Sequence, residues 1–503
     1  MPWHRLSRPD WPRVALGLIG GALCPLAYAP FGWWPVAVVA PAILLLVAGR
    51  RERWVLPAYA WGVGWFTAGG FWIYHSVLVY GGGLAAAVVF CVVLALLFGL
   101  VPLAAVWLWR CLRPANDAAA LMIAFPFAWV LVEWLRGWLF TGITWLQLGY
   151  SQTDSWLNGF APLIGSLGLS VLVAVGAGGG AWAVQGRGRQ RWLPVAAGVG
   201  LVLVVGLVLR QVDYTEPAEE TLDVALLQGN ISQDRKWDPD YRAFTMERYL
   251  DLTAQHWDKD LVIWPETAVP FFRRDAQDRY LAPLAGDAAD RGTDVLLGVP
   301  THDDASGNTY NSVMNLGERI DFYHKRHLVP FGEYVPFRDA LGALLDVFGA
   351  PMGDFAPGQS GEPLAPGGSR AAISICYEII FPRLVATALP EATYLVNVSN
   401  DAWFGRTIGP PQHLQMARMR ALEFQRPLLR STNTGVTAAV GSDGQVQTRA
   451  PMFRPLALSA TIQPRSGHTP YLYWLDTPVV VLAVVGLAGF GVARWRQRPA
   501  ARS

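Results

Sequence analysis

The sequence predicts a chain in two parts, a polytopic α-helical membrane domain joined to an α/β layered domain. Three observations predict it. Of 503 residues, 52% are hydrophobic and only 16% charged, too apolar for a soluble protein of this size. The apolarity is uneven, because residues 1–210 hold 13 Arg, no Lys and five acidic residues, whereas most Asp and Glu lie between Tyr214 and Asp476. From about 221 to 464 the long apolar runs give way to short β-branched runs alternating with amphipathic stretches. The net charge of +2 is too small, and the basic residues too dispersed, for nucleic acid to be a partner.

Apolar runs long enough to cross about 30 Å of hydrocarbon fall near 12–29, 33–49, 55–78, 84–109, 118–135, 160–184, 192–210 and 477–494, which makes eight spans. Basic clusters keep step with them. Arg5, Arg8 and Arg13 precede the first span; Arg50, Arg51 and Arg53 follow the second, and Arg110 and Arg113 the fourth. Arg187, Arg189 and Arg191 follow the sixth, and Arg494, Arg496 and Arg498 the eighth. Basic loops stay on the cytoplasmic side, so both termini are expected there and the segment between spans seven and eight on the far side. The expected domains are 1–213 with spans one to seven, 214–470 as an extracytoplasmic α/β domain, and 471–503 as span eight with its tail.

A cleavable signal is the competing reading of the amino terminus, since Ala27, Tyr28 and Ala29 come after a basic and then an apolar stretch. Pro30 directly after them is a poor cleavage context. Glu133 and Arg136, three apart at the end of span five, are expected to form an ion pair at the interface, with headgroup contact as the alternative. A transporter would need charges at span centres and an internal repeat, and neither is legible here.

In the polar region, strands are expected at 221–227, 261–264, 295–299, 371–375 and 394–398, and helices near 240–256, 275–291, 382–389 and 411–424. The Ser442, Asp443, Gly444 turn ends a hairpin strand. Two strands end in reactive groups, at the edge where open α/β sheets place their ligands. The run Leu261, Val262, Ile263, Trp264, Pro265 delivers Glu266, and Ala371 to Ile375 deliver Cys376. A helix after Cys376 is expected to lower its thiol pKa. Cys24, Cys91 and Cys111 lie in or beside apolar segments, so no disulfide framework is indicated and Cys376 is the one cysteine of the polar domain. An unpaired thiol on the oxidising side of a membrane needs a reason, and chemistry is one. Between Glu266 and Cys376 lies Lys325, in the run from Tyr323 to Pro336. Taken singly, each of the three is ordinarily a solvated charge or a small core residue.

Together, the order Glu, Lys, Cys in these contexts resembles the nitrilase superfamily, in which Glu is the base, Lys the electrostatic stabiliser and Cys the nucleophile. Longer strings narrow the resemblance. Gln228 to Ile231, Lys236 to Asp238, His327 to Pro336 and Val398 to Gly405 look like the apolipoprotein N-acyltransferases, as does an α/β domain set between spans seven and eight. The resemblance covers nearly the whole chain, with no departure at Glu266, Lys325 or Cys376. It implies a nitrilase-like α-β-β-α sandwich in the bacterial inner membrane's periplasmic space. By the same match, Trp237, Asn311, Glu333, Tyr377 and Glu378 are further substrate-binding or supporting positions.

A thiolate beside a carboxylate and an ammonium suits acyl transfer through a thioester, with Glu266 as general base, Lys325 facing the oxyanion and Cys376 attacking. No metal or cofactor is called for. The resemblance implies the substrates: a phospholipid, typically phosphatidylethanolamine, as acyl donor, and the α-amine of a diacylglyceryl-cysteine at a lipoprotein's amino terminus as acceptor, in a two-step exchange. The rival is a membrane-tethered amidase or nitrilase, with water as acceptor. The segment 341–355, apolar yet broken by Gly and Pro, is expected to be either a mobile arm that touches lipid and gates the site or an ordinary packed insertion.

Overall fold

The computed structural model describes residues 10–49, 52–79, 83–186, 189–317, 319–330, 332–334 and 355–496. The expected lipid-touching arm therefore lies, apart from Phe355, outside the described residues. Two compact units result, one of Met1–Ile73, Val88–Val212 and Trp474–Ser503, the other of Tyr74–Ala87 and Asp213–Tyr473.

The first unit is helical, and helix falls in every expected apolar segment, with the 55–78 run broken by a turn at Phe71 and Trp72. Among the described residues five helices are long and apolar enough to cross a membrane, at Gly83–Leu112, Asp117–Arg136, Trp156–Gln185, Gln190–Leu209 and Thr477–Arg496. Shorter apolar helices stand at Trp11–Ala27 and Val36–Ala48. The outward side chains are themselves apolar, for example Leu193, Leu201 and Val208 on one helix and Val481, Leu482 and Val485 on another, which suits hydrocarbon and not water. Small residues bring the helices close: a Cβ on Gly21 would meet the Trp61 backbone oxygen at 1.8 Å. Inside, Trp61, Trp65 and Trp129 form a triangle of rings with centroids 5.2 to 5.9 Å apart. Glu133 and Arg136 are both buried. Instead of facing solvent at a helix end, they staple the next loop: Glu133 Oε1 accepts the Leu148 N–H at 2.9 Å, and Arg136 Nη1 donates to Trp145 O at 2.6 Å.

The second unit is built on two sheets. Its strands are β1 (Thr215–Pro217), β2 (Leu222–Gln228), β3 (Leu261–Ile263), β4 (Asp294–Asp303), β5 (Asn308–Leu316), β6 (Asp321–His324), β7 (Ala371–Ile375), β8 (Tyr394–Ser399), β9 (Leu428–Thr432), β10 (Ala438–Val440), β11 (Val446–Arg449), β12 (Leu456–Ile462) and β13 (Arg465–Gly467). One sheet runs β12-β2-β3-β4-β5-β6 and the other β11-β10-β9-β8-β7, while β1 and β13 pair on their own. The first has a parallel centre, β2-β3-β4, with antiparallel flanks, and the second a parallel end, β7-β8-β9, continued by antiparallel β10 and β11.

Alternation along the strands sends side chains to two cores. Val224, Leu226, Leu261, Ile263 and Leu296 of one sheet share a cluster with Ile373, Ile375, Val396, Val398 and Leu429 of the other. Their neighbours Ala225, Leu227, Val262, Trp264, Val295 and Leu297 face the opposite way, onto Met246 and Tyr249 of helix Arg242–Ala254 and Leu281, Leu284 and Ala288 beyond. Strands buried on both faces explain why β2, β3, β7 and β8 read as short continuous apolar runs in the sequence. The parallel arrangement has a functional consequence: the carboxyl ends of β3, β7 and β8 lie on one edge, with their loops beside one another.

Candidate active site

Each reactive side chain leaves the domain at a bend the sheet imposes. After β3, Pro265 stops the ladder and Glu266 turns inward, only 7% exposed. Thr267, next in line, holds φ at +45°, a left-handed conformation that a β-branched residue rarely adopts. The turn is pressed against β4 so closely that a Cβ on Gly298 would stand 2.3 Å from Thr267 N, so only glycine fits there. Cys376, at the end of β7, is also left-handed, with φ +54°. Two donors hold its carbonyl: Asn397 Nδ2 at 3.3 Å and His413 Nε2 at 3.2 Å.

Glu266 is enclosed by donors. Its Oε1 accepts from Asn311 Nδ2 at 2.8 Å and lies 3.5 Å from Lys325 Nζ, and its Oε2 accepts the Asn400 N–H at 2.8 Å. Lys325 is 1% exposed and sits 2.9 Å from Glu333 Oε1, which Asn311 Nδ2 also reaches at 2.9 Å. Glu333 Oε2 in turn accepts the Val329 N–H at 2.8 Å, closing the loop just beyond Lys325. The result is a network of alternating charge: Glu333, Lys325, Glu266.

The electrostatics assign protons. Burial alone would raise the Glu266 carboxyl, but Lys325 and Lys236, helped by the Asn311 and Asn400 donors, hold it below the usual carboxylate range. Burial pulls Lys325 down, yet Glu333 and Glu266 more than offset this and keep it firmly charged. The thiol of Cys376 goes the other way. Burial first, then the Glu266 charge, push it well above the ordinary thiol value despite Lys325. This corrects the sequence expectation of a lowered thiol pKa. Little helix is present to offset burial and the Glu266 charge: Cys376 opens a five-residue 3₁₀ turn, Cys376–Ile380, with a further short helix at Pro382–Ala386, too short for a strong dipole. An ionised carboxylate beside a protonated thiol is chemically able to take its proton.

The supporting positions fall into two groups. Asn311 and Glu333 belong to the charged network. The others sit around it. Glu378 is fully buried and ties two loops together: it accepts from the N–H groups of Ile375 at 2.7 Å, Arg326 at 2.7 Å and His327 at 3.1 Å, and from Tyr323 OH at 3.0 Å. Tyr377 stacks edge-on to Phe381 at 5.1 Å, with His327 6.0 Å away. Trp237 stays 43% exposed, its ring 5.9 Å from Lys236 Nζ.

Sequence reasoning missed a buried polar layer behind Cys376. Asp401 and Arg430, both wholly buried, pair at 2.9 Å, and Arg430 also reaches the Asn397 side chain. His413 Nδ1 lies between Asp401 Oδ1 at 3.2 Å and Arg430 Nη2 at 3.0 Å, and its Nε2 donates to Cys376 O at 3.2 Å. Asp401 stands in the string Val398 to Gly405, which carries the family resemblance but gives this residue no role of its own. His413 and Arg430 carry no local signal, since a helix face and a strand interior look alike whether they bury a charge or not.

Known proteins match the chain along the same division. Residues 223–471 match the carbon-nitrogen hydrolase family, and residues 20–179 match the apolipoprotein N-acyltransferase N-terminal domain. An apolipoprotein N-acyltransferase of Methylococcus capsulatus is 43% identical, covering 96% of this chain and 96% of that protein. One from Vibrio cholerae is 40% identical over 99% of each. Among solved structures, the C. elegans NitFhit protein covers 52% of this chain and 65% of that one, at 16% identity and a TM-score of 0.40.

Proposed function

This chain belongs to the apolipoprotein N-acyltransferase family, and from that premise we propose that it moves one acyl chain from phosphatidylethanolamine, by way of a thioester on Cys376, to the α-amine of a diacylglyceryl-cysteine. The family implies a lipoprotein acceptor and a membrane lipid donor. The observation that carries the residue assignment is the Lys325 ammonium set 3.5 Å from Glu266 while both groups bear on the Cys376 thiol.

In the first step the thiol proton passes to Glu266 and the sulfur attacks the ester carbonyl. Lys325 faces the negative charge that gathers on the carbonyl oxygen. The ester C–O bond breaks, the glycerol oxygen takes the proton from Glu266, and a lysophospholipid leaves. In the second step the neutral amine attacks the thioester, gives its proton to Glu266, and the C–S bond breaks with the proton returning to sulfur. Trp237, Tyr377 and Glu378 serve the substrate or its supporting loops, and Asn311 and Glu333 keep Glu266 and Lys325 in register.

The domain is read as an α-β-β-α sandwich, a reading supported by the shared core of its two sheets and the helices packed outside. On the eight-span topology, 214–470 lies in the periplasm, against the inner membrane, and both termini lie in the cytoplasm. That topology rests on the basic loops and on helix at each apolar segment.

Incubation of the purified protein with phosphatidylethanolamine, without acceptor, is the test. One added acyl chain, hydroxylamine-sensitive and on the peptide containing Cys376, is expected, and Cys376→Ala should abolish it. Free fatty acid released without a retained adduct would instead favour hydrolysis, and an adduct on Cys24, Cys91 or Cys111 would refute the assignment.

A further inference from the structure

Of 40 Lys and Arg residues only three are Lys, at 236, 259 and 325. Two of these three lie inside the site, Lys236 4% and Lys325 1% exposed. An ammonium is a compact, strongly hydrated charge, and burying one costs several kcal/mol unless it is well partnered. Lys325 has its reason in the charged network. Lys236 has none in the mechanism above.

Its partners are specific. Lys236 Nζ donates to the backbone oxygen of Glu266 at 3.2 Å and, more closely, to Thr267 Oγ1. These are the two residues of the left-handed turn that β4 presses from below through Gly298. Asn311 and Asn400 fix the Glu266 carboxylate from other sides. We propose that Lys236 is a positioning residue that acts through Glu266: it holds the strained turn and sets a second cation beside the carboxylate, keeping Glu266 ionised and ready to take the Cys376 proton. The proposal rests on the reading of Glu266 as the base.

The charges around Glu266 make the consequence definite. Facing it are Lys325 from the end of β6, Lys236 from the loop after β2 and the Cys376 thiol from the end of β7, with Glu333 bearing on it through Lys325; Asn311 and Asn400 are neutral donors. Burial draws Lys236 down to about 8, against the pull of Glu266 and Cys376, so it is still largely charged at neutral pH. Without it, two carboxylates share one ammonium. A proton then enters Glu266 more readily, its pKa rises, and the base is lost at a higher pH.

The experiment tracks thioester formation by intact mass, from phosphatidylethanolamine in detergent micelles, across the acid range. Wild type, Lys236→Met and Lys236→Gln are compared, the last keeping a donor toward Thr267 Oγ1 without the charge. The midpoint of the acid limb is expected to move up by about one pH unit in both variants. A merely structural lysine would change the melting temperature or the plateau rate and leave the midpoint still. An unmoved midpoint in either folded variant overturns the proposal, and Lys236→Gln decides it should Lys236→Met not fold. Glu266→Gln is the separate control: if it keeps turnover, the base reading itself fails, whatever the lysine variants do.

Discussion

Glu378 Oε1 accepts the backbone N–H of Arg326 at 2.7 Å, which binds the residue two after Cys376 to the residue directly after Lys325. The turn at Cys376 and the loop after Lys325 are thereby one unit, although 52 positions separate the two partners along the chain. Glu378→Gln replaces one acceptor oxygen by a donor among four N–H and O–H donors, so at least one of them loses its partner. A buried donor left without its partner costs about 1–3 kcal/mol. The variant should lose stability of that order and form thioester more slowly, read by thermal unfolding and by intact mass. Unchanged values of both would remove Glu378 from any role in holding the site.

Lys325→Met should fold, bind phospholipid and turn over about 10² to 10³ times more slowly, the usual loss when one oxyanion stabiliser is removed. Single-turnover acylation rates measure it. Near-normal rates would return Lys325 to a structural charge.

Asp401 tests the layer behind the nucleophile. Burial would raise its carboxyl, but Arg430 and His413 hold it well below the usual range. Asp401→Asn leaves Arg430 buried beside a neutral group, which costs about 3–5 kcal/mol when a buried pair is broken. Because the folded pKa is depressed, this stability is fully present above the unfolded Asp value of about 3.9 and fades as pH falls toward the folded one. The gap in melting temperature between wild type and variant should therefore be constant near neutrality and narrow below about pH 4. A gap that stays the same in acid would show that the Asp401 charge is not what stabilises the layer.

Topology can be read with thiol labels that do not cross membranes. In a background where Cys24, Cys91 and Cys111 are replaced, Gln445→Cys should label from the periplasmic side of intact cells, and Gly188→Cys only after permeabilisation. The reverse pattern would invert the orientation drawn from the basic loops.

By itself the sequence determined what depends on neighbours along the chain. Apolar runs of helical length became helices at Val36–Ala48, Asp117–Arg136 and Thr477–Arg496 because hydrocarbon demands internally bonded backbone. The buried parallel strands β2, β3, β7 and β8 stood out because both their faces are apolar, and Glu266 and Cys376 were legible as groups at strand ends. The β10 strand was legible from the Ser442, Asp443, Gly444 turn that ends it, but β5 and β9 were not, since Asn311, Ser312, Arg430 and Ser431 interrupt the apolar pattern with polar side chains whose partners come from other segments. Tertiary structure alone decided the proton balance. The Cys376 thiol rises because folding buries it and then brings Glu266, far away along the chain, beside it, while Lys236 and Lys325 stay charged there because the same folding sets Glu266 against both and Glu333 against Lys325. Burial and charge pairing are properties of what surrounds a residue in space, and no local string carries them.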